Sequence, residues 1–302
     1  MSAPAFTPAH TIFDRSLLKI RRQRAAPLFL HSYDFLHRHA AALMNERLRD
    51  IKRSFPVAAY CGAPLPREEF LSFQQTAGIE FLAQLDVLPM AAQADFITAL
   101  QGDEEFFPFG PEALDLAISN LNLHQTNDLP GTLIQIRRAL RPDGLFLAAM
   151  LGGETLWQLR DSLSFAEQQL SGGISPRVHP FADKQQMGAL LQRAGFALPV
   201  VDSEKITVTY QSLPDLVKDL RGLSETNMIS NRNKSFRNRH LFKLAEMYYA
   251  EHFTESSGRL EATFEMIFMI GWAPHAAQPQ PLRPGSAKIR LADALKTEEV
   301  GM

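Results

Sequence analysis

The chain has 302 residues, of which 45% are apolar, enough to bury a large core in one large domain or two small ones. Its 31 basic and 33 acidic residues leave a formal charge of -2, so no global field marks a nucleic-acid binder. One cysteine, Cys61, excludes a disulfide framework and a cysteine-rich zinc site, and points to a reducing, cytoplasmic setting.

The chain opens Met1-Ser2-Ala3-Pro4 with no apolar signal core, and no stretch nears the roughly 18 uninterrupted apolar residues of a membrane span. A soluble protein without a transmembrane segment is expected. Lys19, Arg21, Arg22 and Arg24 read either as a solvated basic helix end or, in a eukaryotic source, as part of a transit peptide leading to the mitochondrial matrix. Residues 28–52 place Phe29, Tyr33, Leu36, Ala40, Leu43 and Leu48 at helical intervals, which predicts one long amphipathic helix closing an N-terminal helical extension of residues 1–52.

A larger α/β domain over 53–275 should follow. The apolar run 55–61 enters a break at Gly62, Pro64 and Pro66 and reads as a buried strand. A helix near 67–76, strands at 79–85, 96–100 and 114–120, a helix at 131–140, a Pro142-Asp143-Gly144 turn and a strand at 145–151 complete five strands. Strands alternating with helices imply βαβ units and a parallel sheet. Helices near 155–170 and 183–194, then strands at 205–210 and 264–272, suit a seven-stranded Rossmann-like α/β fold. Residues 213–255 read as a helical insertion, with a loop over 224–239, capping the carboxyl edge where open α/β sheets bind ligands. The Pro-, Ala- and Gln-rich tail 276–302 is expected to be loosely held.

Candidate chemistry collects at the strand ends. The first turn keeps one glycine, Gly62, while Pro64 and Pro66 remove amide donors from it. Asp86, ending the second strand, reads either as a ribose-hydroxyl acceptor or as a plain surface acid. Asp103 and Glu104 lie beside Phe106, Phe107 and Phe109, a pairing that suits an adenine ring and its exocyclic amine. Asn120, Asn122, His124 and Asp128 gather polar groups after the strongest strand, where a substrate pocket belongs; His124 is a general base or a loop-orienting group. No metal is expected, because His37 and His39 are two apart on a helix and point to different faces. Hydrolase elbows and Walker loops do not occur.

The run 103–160, which includes Ser119-Asn120-Leu121-Asn122-Leu123-His124 and Arg141-Pro142-Asp143-Gly144, closely resembles the mitochondrial complex I assembly factor 5 family and its bacterial relatives. These are S-adenosylmethionine-dependent methyltransferase-like proteins described as arginine hydroxylases. The likeness extends to Phe13-Asp14-Arg15, Arg22-Gln23-Arg24, Gly172-Gly173-Ile174-Ser175-Pro176, Arg221-Gly222-Leu223-Ser224-Glu225-Thr226-Asn227 and Gly271-Trp272, covering nearly the whole chain. It implies a class I fold and an S-adenosylmethionine site at the sheet's carboxyl edge. It also implies action on an arginine of a complex I subunit during assembly of a respiratory NADH dehydrogenase. Carried over by motif, Asp103 faces the adenine, Asp86 the ribose and Gly62 the methionine end. Beside that carry-over, Glu104 and Asn120 are taken as further cofactor-binding residues, and Asn122, His124 and Asp128 as the catalytic candidates. The chain departs from the family at Tyr60, Pro64 and Pro66, where the family has an acid and a glycine-rich turn, and at Gln125, where many members have an aromatic. Those departures equally suit a catalytically silent assembly scaffold, docking through residues 19–24 and 213–255, and the fold also suits a small-molecule methyltransferase.

Overall fold

The computed structural model describes residues 11–233, 239–279 and Asp293. Buried, mostly apolar runs form β1 (Val57–Gly62), β2 (Phe81–Asp86), β4 (Leu114–Asn120) and β5 (Leu140–Leu151), with the shorter β3 (Ile97–Gln101) at one edge. All pair in parallel, then β7 (Leu260–Trp272) joins β5 antiparallel and β6 (Ala197–Tyr210) joins β7 antiparallel. The order is β3-β2-β1-β4-β5-β7-β6, the seven-stranded sheet that the periodicity implies. Strand order reverses between β1 and β4, and there Gly62 pairs with Asn120. Ligands of open α/β sheets bind outside the carboxyl ends at such a reversal.

Each face of the sheet has its own core, as a central parallel sheet requires. Tyr60, Leu116 and Leu147 point into the larger one, covered by α2 (Phe35–Arg49), α3 (Arg67–Ala77), α5 (Trp157–Ser171), α7 (Leu213–Gly222) and α8 (Arg239–His252). Ala59, Cys61 and Phe146 point into the other, under α4 (Leu129–Ala139) and α6 (Lys184–Arg193). Gly222 ends α7 directly over the Tyr33 ring, where an added Cβ would meet Cγ at 2.1 Å.

Four expectations need correction. The helix expected over 28–52 is split. A helix the periodicity did not isolate, α1 (Arg15–Leu28), contains Pro27 and passes into a π-turn at Phe29–Tyr33, and α2 starts only at Phe35. Proline lacks the amide that would continue the ladder, and its ring crowds the carbonyl one turn back. The Pro-Asp-Gly turn is absorbed into β5 as an irregularity in pairing, with Asp143 at φ 64°. β6 starts at Ala197, eight residues earlier than expected, because Pro199 sits on an edge strand with a register shift between Ala197 and Val200. Nor are the α1 cations all solvated, since the Arg15 and Arg22 side chains are 15% and 10% exposed. Of the tail 276–302, residues 280–292 and 294–302 lie outside the described residues, as does the opening Met1-Ser2-Ala3-Pro4.

Candidate functional site

β1 ends in a strained turn. Gly62 has φ 145°, and a Cβ there would meet the Asn120 carbonyl oxygen at 2.5 Å, so two backbones approach too closely for any side chain. Asn120 Nδ2 donates to the Tyr60 hydroxyl at 3.1 Å and to the His37 carbonyl at 3.0 Å, while its Oδ1 is buried without a partner. The Tyr60 hydroxyl donates to Ala63 O at 3.0 Å and fixes the turn.

The acids at the ends of β2 and β3 are held by α1. Arg22 donates to Asp86 Oδ2 at 3.1 Å, to Asn122 Oδ1 at 2.5 Å and to Gln125 Oε1 at 3.3 Å. Asp86 Oδ1 accepts the Leu88 amide at 2.8 Å. Burial raises the Asp86 pKa above the usual carboxylate range although Arg22 pulls the other way. Arg15 donates to Asp103 Oδ1 and Glu104 Oε1, both at 2.7 Å, and to the Gln125 carbonyl at 3.1 Å. The structure therefore brings Asp86, Asp103, Glu104 and Asn122 into one network through two arginines. The aromatic flank is divided: Phe106 is exposed, whereas Phe107 and Phe109 pack on each other at 4.8 Å in the smaller core.

His124 lies deeper. Its side chain is fully buried, with Nε2 3.1 Å from Glu225 Oε1 and 3.2 Å from Oε2, and Gln125 Nε2 donates to Oε1 at 2.7 Å. Burial alone would raise the Glu225 pKa, but the charge and hydrogen bond of His124 overcome it and hold the carboxyl at about 2. Beside it His179 accepts the Met228 amide at 3.0 Å, and burial lowers its pKa to about 4. Asp128 stands apart: it caps α4, accepting the Gly131 amide at 2.9 Å.

Glu225 also lines a cavity of about 590 Å³ between α1, α5, α7 and the segment 177–181. Leucines and phenylalanines, among them Leu151, Leu159, Phe181 and Phe264, form its apolar wall, and Arg21, Arg24, Arg177, Lys218 and Arg221 its charged one. Sequence reasoning missed Glu225, His179, Arg15 and Arg22 as site residues. The signal available for three of them was their place in the family-like runs, while His179 carried none.

This sheet order, with its reversal at Gly62 and its two acid-bearing strand ends, defines a class I methyltransferase fold. A family model described as a methyltransferase domain matches residues 61–148. The crystal structure of the Bacillus subtilis YcgJ protein shares the fold with a TM-score of 0.52 at 14% identity, covering 80% of this chain and all of that one. The malonyl-[acyl-carrier protein] O-methyltransferase of Gallionella capsiferriformans is 32% identical over 64% of this chain and 63% of its own length. Arginine-hydroxylase NDUFAF5, a mitochondrial protein of Danio rerio, is 35% identical over 94% of this chain and 90% of its own length. The chain belongs to that arginine-hydroxylase family.

Proposed function

We propose that this protein uses S-adenosylmethionine to modify an arginine of a protein subunit during assembly of a respiratory NADH dehydrogenase of the complex I type, in the cytoplasm or, in a eukaryotic source, the mitochondrial matrix. The observation that carries the reading is Glu225, a buried carboxylate opening on a cavity at the carboxyl edge of a methyltransferase fold. An ionised carboxylate offers about four acceptor sites; His124 and Gln125 take three of them, and the one left on Oε2 accepts a guanidinium N–H. Glu225 binds and orients the acceptor, and Gln125 and His124 keep Glu225 in place.

The residues present fit the cofactor. Asn120 Oδ1 is a buried acceptor lacking a donor, which an ammonium group supplies, and the Gly62 turn admits no side chain in front of it. Asp86 would hold the ribose hydroxyls, and Asp103 with Glu104 the adenine amine, once Arg22 and Arg15 yield those oxygens. When bound, S-adenosylmethionine supplies an electrophilic methyl group. Asn122 accepts from Arg22 and steadies it on the cofactor side, whereas Asp128 keeps its capping role.

Calorimetric titration with S-adenosylmethionine tests the cofactor half: binding should be lost in Asp103→Ala while the variant melts like the parent. Mass spectrometry of NADH dehydrogenase subunits from cells with and without this chain tests the other half, by asking whether one arginine loses an added methylene or oxygen. Unchanged arginines in intact enzyme from both sources would overturn the assignment.

A further inference from the structure

The cavity that ends at Glu225 carries a charge pattern opposite to what an arginine alone would select. Five cationic side chains line it, Arg21, Arg24, Arg177, Lys218 and Arg221, against the one carboxylate of Glu225. The whole chain has a formal charge of -2, so this concentration is local. Two of the five are engaged: Arg177 pairs with Glu167 at 2.7 Å, and Arg21 donates to the Thr226 and Asn227 carbonyls at 2.6 Å. Arg24, Lys218 and Arg221 are exposed, and among the described residues none of them forms an ion pair. Leu17, Leu28 and Phe242 also line the cavity, giving apolar surface beside these cations.

We propose that the acceptor arginine reaches Glu225 from a peptide segment whose neighbouring residues are acidic, with their carboxylates meeting Arg24, Lys218 and Arg221 and an apolar side chain entering between them. The inference rests on the arginine reading and adds a recognition rule to it. With Arg177 neutralised by Glu167, a lone guanidinium still approaches four cations against one carboxylate and is repelled before it reaches its partner, and flanking carboxylates reverse the sign of that field. The geometry makes the division natural: one buried carboxylate for the guanidinium, and solvated cations for mobile, partly screened acids.

The test titrates the full chain, by fluorescence anisotropy, with three synthetic peptides of equal length and apolar content. The first has arginine flanked by glutamates, the second arginine flanked by lysines, and the third alanine flanked by glutamates. The first should bind at least about 10-fold more tightly than the second at low salt, and the Arg24→Glu, Arg221→Glu double variant should remove or invert that ratio. Both positions are exposed on helices, and a parent-like melting curve establishes that the variant folds. Equal affinity for the first two peptides, or no binding by either, overturns the recognition rule; equal affinity with measurable binding leaves the arginine reading standing. If the third peptide binds as tightly as the first, the acidic preference holds and the arginine reading fails.

Discussion

Arg22→Met should destabilise the protein in a way that depends on Asp86. Arg22 is the only cation paired with the Asp86 carboxylate among the described residues, and the two side chains are 10% and 2% exposed. Methionine keeps much of the stem volume but removes the charge, leaving a buried carboxylate compensated only by the Leu88 amide, with Asn122 Oδ1 and Gln125 Oε1 also losing a donor. Removing one partner of a buried ion pair costs about 3–5 kcal/mol. Asp86 already titrates above its ordinary range through burial, and losing Arg22 raises it further. An acid whose pKa is higher folded than unfolded favours the fold below the unfolded pKa and loses that advantage as pH rises, so the penalty should be larger at pH 7 than at pH 5. Urea melts at both pH values, with unchanged m, measure it, and Arg22→Met combined with Asp86→Asn should recover more than half of the loss. A parent-like midpoint for Arg22→Met at pH 7, or additive losses in the double variant, would refute the reasoning.

Two further outcomes follow from single residues. Gly62→Ala should lower stability by about 1–3 kcal/mol, because φ 145° is strained for alanine and its Cβ would meet the Asn120 carbonyl at 2.5 Å; a thermal melt within one degree or so of the parent would contradict that geometry. Acid should weaken the fold well above the carboxylate range. Burial holds His37 at about 3 and His179 at about 4, so between about pH 6.5 and those values the unfolded chain binds more protons, and stability falls as pH falls. At ~1.4 kcal/mol per pH unit, each of these buried histidines costs at most about 3 kcal/mol between pH 6.5 and 4.5. His37→Phe, which keeps the edge contact with Phe29, should flatten the slope of urea midpoint against pH between 6.5 and 4.5.

Parts of the molecule that depend on local pattern were legible in the sequence. β4 was found to the residue because apolar Leu114, Leu116, Ala117 and Ile118 stand between clear breaks and run into the polar strand end Ser119-Asn120. The first half of β6 was not, because this edge strand carries Pro199 and exposes apolar Leu198 and Val200, so its alternation in burial has no counterpart in the sequence. The acids at the strand ends were legible for the same reason as the strands. Their partners were not, because Arg22 and Asp86 are 64 positions apart and His124 and Glu225 are 101 apart, and no period in the chain encodes such pairs.

α1 shows what that blindness conceals. Taken as composition, its cations describe one basic helix, but at about 100° per residue they separate into two sets. Arg15 and Arg22 are seven residues apart and share a face, and that face meets Asp103, Glu104 and Asp86. Leu17, Arg21, Arg24 and Leu28, spaced by four, three and four, lie on the roughly opposite face and line the cavity that ends at Glu225. Leu18 and Ala25, again seven apart, are buried. A single helix therefore separates the acid-bearing strand ends from the cavity that ends at Glu225. A cofactor that claims Asp86 and Asp103 must release Arg22 and Arg15, and any shift of α1 that accompanies the release moves Arg21 and Arg24 on the acceptor side. On the proposed assignment the two binding events share one helix, and the residues that link them are ones that neither the methyltransferase fold nor the acid-bearing strand ends would have singled out.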